Sequence, residues 1–359
     1  WLKHVDQDLH GLSAFAHCSS PLFTKVLMVT VDTSRVKNAV DKDGNETTEA
    51  TEDEAASPLS PTKFNDASQT LIFLDWDDTL FPTTEVLDRW GFPSRPEDWA
   101  NLSFTRDQEI AIGRWREALF WYLRSVCAVS TRVCIVTNAQ PGWVESSIKK
   151  FAPNLEPLFE QEDGPRIVYA RVALEKSKRR VSGSLGGTPT AFGDRSLSNE
   201  EMFDKLVRAK TNAMQREAKE FYSKYPGQTW KNIISVGDAR YEHYAAKDVA
   251  FRRKGPDREK LRLKCIITPE GPMIRDMTYR LSVATLLWPA YVVHDGDMDV
   301  DMNTPQQLRA IAHALEMPEL AKSIRSFPIS EEDLEACFDE LDDVAVLVHD
   351  QLTDRCKGA

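Results

Sequence analysis

The chain has 359 residues, enough for one large domain or two modest ones; 42% of its side chains are hydrophobic and 28% charged, the balance of an ordinary folded protein. Its formal charge of −11 argues against a nucleic-acid backbone or an anionic membrane surface as partner, and no apolar run reaches the roughly 18 residues that a membrane-spanning helix needs. The cysteines are scattered, without a CxxC pair or zinc spacing, and Cys134 and Cys265 lie inside apolar runs, so buried free thiols in a reducing, cytoplasmic compartment are expected.

Residues 1–38 open on Trp1 rather than Met, as in a partial or processed chain, which leaves an N-terminal signal unassessable. They hold one strand-like apolar run, Val26-Leu27-Met28-Val29-Thr30-Val31. Residues 39–68 are rich in Asp, Glu, Thr, Ser and Ala and poor in large apolar groups. Such a stretch buries too little surface to offset its ordering entropy, so a disordered acidic linker is expected, with Ser57-Pro58 and Ser60-Pro61 as Pro spacers or kinase sites. The core is expected over residues 69–270. Leu71–Leu74, Val133–Val136, Ile233–Val236, Leu263–Ile267 and the shorter Ile167–Tyr169 read as buried parallel strands. The helical patterns between them predict a Rossmann-like, doubly wound α/β sheet. Ile112, Trp115, Ala118, Leu119 and Tyr122 recur at helical spacing before Thr131, and Trp115 and Trp121 read as core. The stretch from Val172 to Asn199, rich in Lys, Arg, Ser and Gly, reads as a long loop. Residues 271–359 read as a mainly helical C-terminal extension packed on the core. Thr304-Pro305-Gln306-Gln307 is a capping box, and Ser330 caps a last acidic helix.

Three strand ends carry the chemistry. The run Leu71-Ile-Phe-Leu ends in Asp75-Trp76-Asp77-Asp78-Thr79. Clustered carboxylates at the end of a core strand repel one another and are costly to desolvate, and a divalent cation resolves that cost. The carboxyl ends of strands are also where open α/β sheets bind ligands. Ile233–Val236 likewise ends in Gly237-Asp238, with Glu242 four residues on; Val133–Val136 ends in Thr137-Asn138, a hydroxyl followed by backbone N–H groups suited to a phosphate oxygen. Gly-Asp after a strand is a common turn and the Thr137 motif is weak by itself. Together with Asp75 they are far more specific.

Over residues 70–270 these motifs resemble the haloacid dehalogenase (HAD) superfamily of phosphotransferases. DxDx(T/V) matches Asp75, Asp77 and Thr79; a strand ending in Thr or Ser matches Thr137; GDxxxD or its Glu variant matches Gly237, Asp238 and Glu242. The remaining motif is a Lys at a helix start, assigned to Lys210, with Lys205 and Lys219 as competitors. Leu74-Asp-Trp-Asp-Asp-Thr-Leu and Val136-Thr-Asn-Ala-Gln-Pro-Gly-Trp143 resemble a protist group within the superfamily. The resemblance implies Mg²⁺ as cofactor, held by the Asp75 carboxylate, the Asp77 backbone carbonyl and the Asp238 carboxylate. It also implies an aspartyl-phosphate on Asp75, acid–base work by Asp77, phosphate binding by Thr137, Asn138 and Lys210, and outer roles for Glu242 and Thr79.

Between Thr79 and Arg106 there is room only for a minimal cap, which resembles superfamily members that act on macromolecules. A phosphorylated substrate, with phosphoproteins foremost, is therefore expected. Lys176, Lys178, Arg179 and Arg180 offer either a docking site for it or a solvated basic loop, and Arg179-Arg180-Val181-Ser182 also suits a basophilic kinase. The alternatives are a small-metabolite phosphatase or phosphotransferase lidded by the Val172–Asn199 loop, and a non-catalytic HAD-like binding module. The DxDxT pattern and the chain length argue against a receiver domain.

Overall fold

A computed structural model describes residues 63–172, 198–223, 229–253, 260–303 and 305–325, with 328–330, 332–334 and 336 near the end. Outside these lie the Val26–Val31 run, most of the expected acidic linker with both Ser-Pro pairs, nearly all of the expected Val172–Asn199 loop with its basic cluster, Thr304, and most of the residues expected to form the last acidic helix.

Six strands make one sheet, and every pairing in it is parallel. They are β1 (Thr70–Leu74), β2 (Arg132–Thr137), β3 (Arg166–Tyr169), β4 (Asn232–Gly237), β5 (Arg262–Ile267) and β6 (Met298–Asp301), in the order β3-β2-β1-β4-β5-β6. The chain winds outward from β1 through β3, returns to β4 on the other side, and winds outward again. The reversal leaves a crevice at the carboxyl ends of β1 and its neighbours, the usual ligand position in such sheets.

Alternation along the strands builds two cores. Ile72, Leu74, Val133, Ile135, Ile234 and Val236 face one side; Leu71, Phe73, Cys134, Val136 and Ile233 face the other. The first side is covered by α1 (Arg106–Val129), α2 (Trp143–Phe151) and, after β5, a long apolar helix over Ile274–Val293. The second is covered by α3 (Asn199–Phe221) and α4 (Arg240–Phe251). Burial on both faces explains why the strands read as unbroken apolar runs. Local chemistry sets the helix starts: Thr105 with Gln108 caps α1 and Ser198 with Glu201 caps α3, each as a reciprocal capping box.

The segment after residue 270 is more than an extension. Its helix α5 (Ile274–Val293) packs along α1 and closes the first face, and Met298–Asp301 adds β6 to the sheet. The β6 residues alternate polar with apolar over four positions and border the sheet on one side only, which is too brief a pattern to read as a strand. Helices α6 (Pro305–Ala314) and α7 (Pro318–Ser323) follow, and the Ser330 hydroxyl accepts from the Asp333 amide as a cap should. At the other end, the expected linker stops short. Asp66 accepts from the amide of Gln69, Ala67–Gln69 forms a 3-10 turn, and Phe64 stacks under the Arg262 guanidinium at 4.0 Å. Cys134 and Cys265 are buried free thiols. Among the described residues, no helix is long and apolar enough to cross a membrane.

Candidate functional site

Register brings the three motifs level. Leu74 pairs with Ile135 of β2 and with Val236 of β4. Asp75 therefore leaves β1 beside Val136 and Gly237, with Thr137 and Asp238 one residue further along their own strands. The Asp75 amide still donates to the Val236 carbonyl at 2.9 Å, so the strand backbone holds it to its last atom.

From the second face, α3 drives a lysine into this edge. Lys210 is fully buried and its Nζ donates to Asp75 Oδ1 and to Glu242 Oε1, both at 2.5 Å. Lys205 and Lys219 are exposed on the same helix. The expectation of a lysine at a helix start is corrected: α3 begins at Asn199, and Lys210 sits near its middle. Ligand oxygens of Asp75, Asp238 and Glu242 lie within 4.8 Å of one another. Glu242 folds back over the turn, accepting from the Ala239 amide at 3.0 Å and packing over Gly237, where any Cβ would lie 2.5 Å from Glu242 Cγ. Only glycine at 237 leaves that space.

Asp77 points to the other side. Its Oδ1 accepts from Thr83 Oγ1 and from Trp143 Nε1, each at 2.7 Å, while its Oδ2 has only the longer 3.3 Å contact from Thr137 Oγ1. Thr137 Oγ1 itself accepts from the Ala139 amide at 2.9 Å. Asp78 turns through φ 52°, a left-handed conformation that Asp tolerates, and its carboxylate binds the Thr84 amide and hydroxyl. Thr79 Oγ1 donates to Asp238 Oδ1 at 3.4 Å. Both polar side-chain atoms of Asn138, next to Thr137, are buried with no hydrogen-bond partner among the described residues.

The charges are unbalanced. Burial pushes the Asp75 carboxyl above its ordinary range; Lys210 opposes this, and Glu242 and Asp77 add to it. Asp238 is raised by burial and then by Asp75, Glu242 and Asp78. Glu242 is raised by burial against the pull of Lys210. Burial disfavours the Lys210 ammonium, but Asp75 and Glu242 outweigh it and hold the amine above the lysine range. Three carboxylates thus share one ammonium, and the donor set is all hard oxygen, which suits a divalent cation such as Mg²⁺.

Sequence reasoning passed over three residues here. Thr83 and Trp143 anchor Asp77, and Tyr241 lies beside Glu242 with its ring 5.1 Å from Lys210 Nζ. Burial, then the charges of Glu242, Asp75, Asp238 and Asp77, push the Tyr241 phenol up. Trp143 and Tyr241 open the helices that follow β2 and β4, and position after a strand was the available signal.

The short insertion after Thr79 puts Val86 and Trp99 into the first core. A π-helical turn over Glu85–Arg89 is followed by a 3-10 stretch over Pro96–Asn101 that packs onto α2, with Trp99 against Trp143 and Phe151, and Phe92 against Phe104 and Phe151. Comparison of the chain with protein-family models, with curated proteins and with solved structures gives no match.

Proposed function

We propose that the chain is a Mg²⁺-dependent phosphohydrolase of HAD type, which carries the phosphoryl group on Asp75. The observation that supports this most strongly is the pairing of two differently held aspartates at one strand end. Asp75 sits in a buried cluster with Lys210, Glu242 and Asp238; Asp77, two residues on, is turned away and fixed by Thr83 and Trp143.

Each residue then has a task. Asp75 attacks phosphorus through a carboxylate oxygen as the bond to the ester oxygen breaks. Asp77 protonates the departing oxygen and afterwards takes a proton from the water that releases phosphate. Its Oδ2, which has only the Thr137 contact, is the oxygen free to carry that proton. Lys210 keeps Asp75 ionised and oriented and screens the incoming phosphate. Thr137 and the unpartnered Asn138 amide offer hydrogen bonds to phosphoryl oxygens. Asp75, Asp238 and Glu242 would hold Mg²⁺, which when bound supplies positive charge against the phosphate and against the carboxylates themselves.

The test is hydrolysis of 4-nitrophenyl phosphate by the full chain. Turnover should require Mg²⁺, vanish with excess EDTA, and be abolished in Asp75→Asn, which preserves shape but removes the nucleophile. Undiminished turnover in that variant or in EDTA would overturn the reading.

A further inference from the structure

Beside the site stands an aromatic surface that the proposed chemistry does not use. Phe203 lies seven residues before Lys210 on α3, hence on the same helix face and about 10 Å further along the axis. Because α3 runs down toward the start of β4, that displacement carries Phe203 outward, past the carboxyl edge of the sheet. Tyr241, one residue before Glu242 on α4, bridges the two levels. Its ring lies 5.1 Å from Lys210 Nζ and packs edge-on to Phe203 at 6.3 Å. Tyr244, one turn further along α4, packs edge-on to Phe203 at 6.0 Å. Tyr244 is 47% exposed and Met202, next to Phe203, is 40% exposed. Tyr241 thus links the buried cluster to a partly exposed aromatic wall shared by α3 and α4, the kind of apolar surface that lines ligand sites.

We propose that Tyr241, Phe203 and Tyr244 receive the ring of a phosphomonoester borne on an aromatic alcohol, the chemistry of a phosphorylated tyrosine side chain, and so select aryl over alkyl esters. The substrate class rests on the phosphohydrolase reading. An ester group leaving Asp75 and Thr137 at the carboxyl edge would meet Tyr241 and Phe203 on the side of α3 and α4, and Trp143 at the start of α2 on the opposite face of the sheet. Edge-on and offset ring contacts favour such a group over an aliphatic chain of similar size.

The experiment compares phenyl phosphate with ethyl phosphate in the wild-type chain, Phe203→Ala, Tyr244→Ala and the conservative Tyr244→Phe. Taking the aryl-to-alkyl ratio of kcat/KM within each protein, and then comparing proteins, cancels the better leaving group of the aryl ester. The ratio should fall by about tenfold in each alanine variant, through KM, and return in Tyr244→Phe. A second arm measures binding of phenyl phosphate and ethyl phosphate to Asp75→Asn by calorimetry, with and without Phe203→Ala, and needs no turnover. If the wall only joins α3 to α4, the alanine variants will melt earlier with both ratios unchanged, and the proposal is overturned. Tighter binding of adenosine monophosphate than of phenyl phosphate would overturn it as well. Absence of any turnover, with the aryl preference intact in the binding arm, would sink the phosphohydrolase reading and leave the wall standing.

Discussion

Two aspartates separated by one tryptophan differ because their neighbours differ. Asp75 meets an ammonium and two further carboxylates inside the protein; Asp77 meets a hydroxyl and an indole N–H at the rim. Their amides should therefore fail differently. Asp77→Asn should leave Mg²⁺ binding intact but slow the first step more for an alkyl than an aryl phosphate, since a poor leaving group needs the proton; the acid–base contribution is about 10²–10⁴-fold. Single-turnover rates on both substrates check this, and rescue of Asp77→Asn by added Mg²⁺ would refute the assignment. Asp238→Asn should instead weaken Mg²⁺ binding. It should also raise the melting temperature of the metal-free protein. Asp238 is held above its ordinary range, so the folded state binds more protons than the unfolded one, and ionisation of Asp238 costs stability as pH rises past the usual carboxylate range. Melting curves at neutral pH in EDTA decide it, and a lower melting temperature for Asp238→Asn would count against the excess of negative charge.

At the scale of elements, the β4–α4 turn is the tightest joint in the site. Glu242 caps the first turn of α4 through the Ala239 amide and reaches Lys210 with its other oxygen. That bend requires a bare backbone at 237, because a methyl there would overlap the Glu242 side chain. Gly237→Ala should thus destabilise the fold by about 1–3 kcal/mol, the usual cost of overpacking, and should raise the Mg²⁺ concentration needed for half-maximal activity. Chemical denaturation and a Mg²⁺ titration measure the two effects separately. Unchanged Mg²⁺ dependence would mean that Glu242 does not hold the cation.

Considered as a whole, the sheet has the carboxylate cluster at its carboxyl edge and a polar network at the other. There Lys264 is fully buried, donating to Asn232 Oδ1 at 2.7 Å and lying 3.4 Å from the Val292 carbonyl. Asn232 in turn donates to Thr70 and Val292, so one network ties β1, β4, β5 and α5 together. Burial, reinforced by the nearby Arg262, pushes the Lys264 amine down to about 7. Between that value and the ordinary lysine range the unfolded chain holds one more proton than the folded one. Stability should therefore rise with pH across that window, by up to about 1.4 kcal/mol per unit. Lys264→Met should flatten that rise. Denaturant midpoints from pH 6.5 to 10 in both proteins test it, and parallel curves would show that Lys264 is not the titrating group.

Much of this protein was legible before folding was considered. Five strands were readable because a parallel sheet covered on both faces needs continuous apolar runs, and Asp75, Thr137 and Asp238 were readable because each interrupts such a run with a polar group. These are local signals of composition. Other features depend on where distant segments meet. Lys210 differs from Lys205 and Lys219 only in the face of α3 that it occupies, so burial between Asp75 and Glu242 singles it out. Glu242 reaches the carboxylate cluster because Gly237 leaves room for it. Strand β6 is too short and too polar to announce itself, and it exists because β5 offers it an edge. The aromatic wall joins residues 203, 241 and 244, whose proximity comes from the packing of α3 on α4. The sequence by itself determined five of the strands and their polar ends, because these follow from residue chemistry at single positions. The tertiary structure decided that Lys210 rather than its competitors is buried between Asp75 and Glu242, and that Tyr241, Phe203 and Tyr244 meet, because such choices rest on contacts between segments far apart in the chain.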